Sequence, residues 1–118
     1  MTIPGALDAE LAAARRLVEN LRAELAGILV EQEANPPDDE HDVEGSSVGY
    51  ERARVTALLA EAERRLRDIE AAGGRLADGT YGTCQLCGGP IGEERLAALP
   101  ASARCISCAA ATPGGLPA

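Results

Sequence analysis

The 118-residue chain has no Trp, no Phe and only two Tyr, so aromatic side chains cannot fill a large core. Alanine and leucine must therefore supply most of the packing. Basic residues are also scarce, with 11 Lys and Arg against 19 Asp and Glu, and the net charge is −8. Because duplex binding draws mainly on the neutralisation of phosphates, this balance argues against direct nucleic-acid binding.

Long hydrophobic runs are missing as well. No apolar segment approaches the length of a membrane span, and the acidic balance disfavours an anionic membrane surface. Residues 1–5, Met-Thr-Ile-Pro-Gly, lack the basic and apolar regions of a secretory signal, so we expect a cytoplasmic protein. No nucleophile–base pair or open metal site is evident, and we therefore expect no enzymatic activity.

The four cysteines are the most informative residues present. They form two Cys-x-x-Cys pairs, Cys84 with Cys87 and Cys105 with Cys108, separated by seventeen residues. Each pair presents two thiolates on one turn, and the intervening segment is long enough to bring the second pair back to the first. The spacing predicts one structural Zn²⁺ in a closed four-cysteine shell, with no coordination position left for catalysis.

The cysteine spacing also has interpretations other than zinc binding. One alternative is four free buried thiols, and another is two disulfides, which would need an oxidising compartment that the N-terminal residues argue against. A redox-active pair of the thioredoxin kind would require a surrounding βαβ pattern that the chain lacks. Zinc binding is the favoured interpretation.

Two stretches before the cysteines carry apolar residues alternately four and three apart, the pattern of helices that pack together. The first stripe is Leu7, Leu11, Ala14, Val18, Leu21, Leu25 and Ile28. The second stripe is Val55, Leu59, Ala62, Leu66, Ile69, Gly73 and Leu76. Stripes of equal length separated by a short break predict an antiparallel pairing that runs from Leu7 with Leu76 to Ile28 with Val55, and a register shifted by a whole heptad is the alternative.

These patterns predict a mainly α protein, an antiparallel coiled-coil hairpin followed by a small zinc finger. We assign residues 1–78 to the hairpin, 79–112 to the finger and 113–118 to a flexible tail. Pro36 and Pro37 should end the first helix, and Gly73-Gly74 should mark the fraying or end of the second.

Residues 35–47 between the two helices form an acidic tip. Five carboxylates lie there, on Asp38, Asp39, Glu40, Asp42 and Glu44. A solvated turn with ordinary capping by Ser46 or Ser47 is the alternative to a functional tip. A lone histidine within this acidic run, His41, is interpreted as solvated and not as a metal ligand.

The segment from Gly79 to Cys108 resembles the zinc finger of the DksA/TraR family of bacterial transcription regulators. Besides the cysteine spacing, it carries the family's Tyr-Gly, Ile-Gly, Arg-Leu and Pro positions. These are Tyr81-Gly82, Ile91-Gly92, Arg95-Leu96 and Pro100. The hairpin with an acidic tip is similar to the family architecture too, so the resemblance covers nearly the whole chain.

The resemblance implies a function. Family members bind RNA polymerase, pass the hairpin through its secondary channel and bring acidic tip residues near the catalytic centre. The family's tip motif is Asp-x-x-Asp-x-Ala, and Asp39 and Asp42 match its aspartates while Glu44 replaces the alanine. A count without gaps from Cys84 places the motif on residues 41, 44 and 46 instead. Which carboxylate acts therefore stays open among Asp42, Asp39 and Glu44.

Effector-responsive members of the family hold guanosine tetraphosphate partly with basic side chains of the hairpin base and the finger. The corresponding residues here are Asp68, Leu99 and Ala109, none of which can neutralise a phosphate. The resemblance therefore predicts regulation that does not depend on this nucleotide. The nearby cations that offer an alternative are Arg67, Arg95 and Arg104.

The competing interpretation is a zinc-ribbon and coiled-coil adaptor that binds another protein and never enters a polymerase channel. We expect a monomer that binds RNA polymerase, and this observation would support the interpretation as a regulator. A stable dimer through the heptad stripes, without polymerase binding, would support the adaptor.

Overall fold

The structure, a computed structural model, describes residues 3–34 and 43–111. It contains four helices in these residues: α1 (Ile3–Ala34), α2 (Val43–Asp78), α3 (Glu93–Ala98) and α4 (Ile106–Ala111). Extended pairing in the described part is limited to one isolated antiparallel bridge, between Thr83 and Pro90. The predicted class, a helical hairpin followed by a small cysteine-rich finger, is confirmed.

The ends of the two long helices differ in part from the prediction. Helix α1 ends at Ala34, two residues before the first proline, as expected. Helix α2 already begins at Val43, so the expectation that Ser46 or Ser47 caps it is wrong. Because the helix starts within the predicted tip, both serines lie inside its first two turns.

The C-terminal end of α2 also lies further along the chain than predicted. The helix continues through Gly73-Gly74 to Asp78, so the expected break at these glycines is wrong. Gly79 has a φ of 83° and follows the last helical residue. The Thr80 amide then donates to the Arg75 carbonyl at 2.9 Å. A glycine therefore follows the end of α2, but that glycine is Gly79 and not the pair Gly73-Gly74 to which the sequence pattern assigned this role.

The chain forms two compact units, Ala13–Leu66 and Met1–Ala12 with Arg67–Ala118. In the first, α1 and α2 pack along the predicted stripes, with Val18 2% and Val55 0% exposed. Leu21 and Ala62 complete the buried cluster, and four half-buried residues pack against it. These four are Leu25, Ile28, Leu59 and Leu66.

Ion pairs link the two helices within the unit Ala13–Leu66. Arg22 Nη2 lies 2.9 Å from a Glu63 carboxylate oxygen, next to the predicted Leu21–Ala62 layer. Arg54 bonds Glu51 on its own helix at 2.7 Å and lies 3.8 Å from Glu24 of α1. Hydrogen bonding with Arg54 lowers the pKa of Glu51. These exposed pairs favour one pairing of the helices but stabilise it little, because water screens them.

The second unit buries Leu7 of α1 with Ile69 and Ala72 of α2. Here the predicted stripe is wrong over its last turn: Gly73 is exposed and Leu76 is 38% exposed, whereas Ala72 is 0% and Arg75 is 8% exposed. The finger accounts for this shift, because Arg75 Nη2 donates to the Ala101 carbonyl at 3.4 Å, which buries Arg75 in place of Leu76.

Candidate metal centre

The first cysteine pair lies on a tight turn that follows α2. The Cys84 amide donates to the Gly89 carbonyl at 2.7 Å, and the Gly88 amide donates back to the Cys84 carbonyl at 2.9 Å. Gly88 has a φ of 76°, a conformation that a side chain would strain. The Gly89 amide lies 3.4 Å from the Cys87 sulfur, so the turn directs backbone N–H groups to a thiolate.

The second pair lies at the start of a short helix. Cys105 directly precedes α4, and the Cys108 amide lies 3.4 Å from the Cys105 sulfur. The Ala109 amide donates to the Cys105 carbonyl at 3.0 Å. The helical turn therefore places both sulfurs of this pair on one side, as the first turn does for its own pair.

All four sulfurs lie within 4.8 Å of one another. The Cys87 and Cys105 sulfurs are 3.9 Å apart. Four sulfurs at about 2.3 Å from one zinc ion have tetrahedral edges of about 3.8 Å, so this spacing suits zinc. A disulfide would require sulfurs about 2.05 Å apart, and all four cysteines are free thiols. The prediction of one structural zinc is confirmed, and the disulfide alternative is not supported.

The shifted pKa values of the cysteine thiols also favour a bound zinc ion. Hydrogen bonds from the backbone N–H groups of Cys87 and Cys105 lower the pKa of the Cys84 thiol to about 6. Hydrogen bonding with Cys105 and with Cys87 raises the pKa of the Cys108 thiol to about 12. Thiols this close cannot all ionise unless a cation compensates the charge, and a divalent ion with a preference for sulfur does so.

Few apolar side chains support the metal centre. Its buried cluster consists of Cys84, Ile91 and Leu96, with Tyr81 and two of the other cysteines packed around it. Leu86, Leu99 and Ile106 are exposed. A core of this size contributes little free energy of folding by itself, so the metal must contribute much of it.

The segment between α3 and Cys105 is held by hydrogen bonds that sequence reasoning missed. The Tyr81 hydroxyl donates to the Pro100 carbonyl at 2.7 Å. Arg95 Nε donates to the Arg104 carbonyl at 2.8 Å and to Ser102 Oγ at 3.2 Å. In the sequence, Tyr81 is part of a family motif, and Arg95 is part of another and an alternative cation for a nucleotide. The family motifs therefore drew attention to both residues, but their hydrogen-bond partners are evident only from the tertiary structure.

Most of the acidic tip lies outside the described residues. Asp39 and Asp42, with His41 between them, lie outside the described residues. Glu44 lies in α2, and its side chain is not described. Their role therefore stays a prediction, as does the flexible tail at 113–118, which also lies outside the described residues.

The positions that would contact a nucleotide fall within the described residues. Asp68 is exposed on α2, Leu99 follows α3, and Ala109 is half-buried on α4. Among the alternative cations, Arg67 is exposed on α2, and Arg95 directs its Nε–H into the finger. No described helix has the length and apolar character that crossing a membrane requires.

Comparison with known proteins identifies the family. Residues 79–112 match the prokaryotic dksA/traR C4-type zinc finger. The chain is similar to the structure of transcription factor DksA2 from Pseudomonas aeruginosa, with a TM-score of 0.59 and 31% sequence identity over 89% of this chain and 81% of that chain. The chain belongs to the DksA/TraR family, which confirms the resemblance drawn from the finger and hairpin.

Two relatives of undetermined function are also similar. The uncharacterized protein YteA of Bacillus subtilis (strain 168) is 40% identical over 62 residues, which are 52% of this chain and 26% of YteA. An uncharacterized protein of Aquifex aeolicus (strain VF5) is 33% identical over 78 residues, 66% of this chain and 52% of that protein. The chain thus spans 26% and 52% of the lengths of these relatives.

Proposed function

We propose that this protein regulates transcription by binding RNA polymerase and inserting its acidic-tipped hairpin into the secondary channel. The observation that carries the proposal is the match of hairpin and finger together to transcription factor DksA2, over 81% of that chain. The closed four-cysteine site supports a regulator and not an enzyme, because its thiolates leave no coordination position for a substrate or water.

The tip would supply the chemistry. In a narrow channel of low dielectric, carboxylates at Asp39, Asp42 and Glu44 would act on Mg²⁺ and on basic side chains far more strongly than in water. The net charge of −8 suits a partner surface that is positive and argues against direct promoter contacts. Such a protein would act as a monomer in the cytoplasm, where the polymerase is.

The test separates binding from activity. The variant with Asp39→Asn, Asp42→Asn and Glu44→Gln should lose the effect on open-complex lifetime with purified polymerase, yet keep most of its polymerase affinity. A change of three tip side chains should leave polymerase binding through the rest of the surface largely intact. A control with Asp8→Asn, Glu19→Gln and Glu61→Gln removes the same charge from exposed helix positions and should keep both properties.

Three outcomes discriminate the candidates. Loss of activity with retained binding supports the tip mechanism. Unchanged regulation by the triple tip variant rejects it. A stable dimer in sedimentation equilibrium that does not bind polymerase would reject the whole proposal and favour the adaptor.

A further inference from the structure

Residues 100–104 link α3 to the second cysteine pair and lie outside any helix. Four of their carbonyl oxygens nevertheless accept hydrogen bonds from donors in other parts of the same unit. The pairs are the Tyr81 hydroxyl to Pro100 at 2.7 Å, Arg75 Nη2 to Ala101 at 3.4 Å, the Gln85 amide to Ala103 at 2.9 Å and Arg95 Nε to Arg104 at 2.8 Å. An irregular segment held at four carbonyls has little conformational freedom left.

The Arg95 contact is made to the residue that directly precedes the metal ligand Cys105. Its Nε–H is shared between the Arg104 carbonyl and Ser102 Oγ, and the Ser102 hydroxyl donates to the same carbonyl at 2.9 Å. The Arg104 carbonyl belongs to the peptide unit that leads directly into Cys105. Since a peptide unit is planar, fixing its carbonyl oxygen also fixes the direction of the Cys105 backbone N–H.

That direction matters because zinc binding needs four sulfurs at once. The Cys105 sulfur lies 3.9 Å from the Cys87 sulfur of the first pair and 3.4 Å from the Cys108 amide of its own pair, so the orientation of this residue bears on how the two pairs meet. A finger with so small a buried core cannot restore this geometry by packing if the peptide unit is released.

We propose that Arg95 is a positioning residue for the zinc site: its Nε–H, with Ser102, fixes the peptide unit between Arg104 and Cys105 so that the second cysteine pair faces the first. The proposal rests on the zinc site and not on the proposed regulatory function. Loss of groups that orient metal ligands typically lowers metal affinity by about 10- to 100-fold, and we expect the lower end because Arg95 acts through the backbone.

Two substitutions distinguish positioning from charge. Arg95→Met has a similar length but no donor. Arg95→Gln is neutral as well, but its side-chain amide nitrogen is as many bonds from Cα as the Nε of arginine, so it keeps a donor in that place. Arg67→Met removes an exposed arginine of the same unit and serves as the matched control.

The measurement is zinc release from the full-length, zinc-loaded protein to a chromogenic chelator, with the absorption spectrum of the cobalt-substituted protein as a second readout. Arg95→Met should release zinc about 10-fold faster and alter the cobalt bands, whereas Arg95→Gln should stay within about threefold of the wild type. Arg67→Met should match the wild type in both. Helicity at 222 nm shows whether the hairpin is intact.

Unchanged zinc release in Arg95→Met would overturn the proposal. Equal acceleration by Gln and Met would overturn it too, because the charge and not the directed donor would then matter. Should Arg95→Met prevent zinc loading altogether, Ser102→Ala decides: it removes one hydroxyl from the same arrangement and should speed release about fivefold, the effect of one lost hydrogen bond. Unchanged release in Ser102→Ala would then reject the proposal.

Discussion

Replacing Gly73 and Gly74 by alanine should make the protein more stable. Both glycines are exposed inside α2, and a Cβ atom built at either would meet nothing within 4 Å. Alanine lowers the entropy of the unfolded chain and favours the helix, by about 0.5–1 kcal/mol at each site. The double variant should therefore gain about 1–2 kcal/mol, or about 4–8 °C in Tm at roughly 4 °C per kcal/mol.

The assay is urea unfolding followed by circular dichroism at 222 nm, with zinc present throughout. Gly79→Ala is the matched control: its surroundings are equally open, but its φ of 83° strains any side chain. That variant should lose about 1–2 kcal/mol through backbone strain alone. A double variant no more stable than wild type, or a neutral Gly79→Ala, would refute the placement of the end of α2 after Asp78.

Three further outcomes are expected. Cys105→Ser should lose zinc and unfold the finger while the hairpin stays largely helical; full zinc retention, measured with helicity, would contradict a four-cysteine site. Zinc binding at pH 7 should release protons, because thiols such as that of Cys108, whose pKa is raised to about 12 in the folded finger, must ionise to bind the metal. Zinc affinity should accordingly rise with pH, and calorimetry in buffers of different ionisation enthalpy counts the protons. Guanosine tetraphosphate should not enhance regulation by this protein, because Asp68, Leu99 and Ala109 offer no cation; strong potentiation, with the polymerase's own nucleotide site inactivated, would show otherwise.

The metal centre was predictable because its signal is local. Two thiols on one turn repeat at a spacing that few other sites share, and four ligands define the shell without reference to the rest of the chain. The Arg95 contact was not predictable in this way. Its acceptors, Ser102 and the Arg104 carbonyl, lie 7 and 9 residues along the chain, and no periodic pattern relates them to a donor on α3.

The hairpin was predictable except where tertiary contacts override the heptad. Periodicity placed Val18, Leu21, Val55 and Ala62 correctly in the core. It failed at the end of α2, where the finger gives Arg75 a backbone partner and so favours burial of a charged residue over Leu76. The low helix propensity of glycine gave a wrong helix end for a related reason. Helix α2 continues through Gly73-Gly74 because packing on either side holds the helix together.

Zinc and the acidic tip would serve the proposed function in different ways. A closed thiolate shell has no position for a substrate, so zinc can influence transcription only by keeping the finger folded and its surface available to the polymerase. Loss of zinc in Cys105→Ser should consequently lower polymerase binding and activity together, whereas removal of the tip carboxylates should lower activity alone. If Cys105→Ser kept full binding and activity, the finger would not take part in binding, and the hairpin by itself would have to account for the affinity.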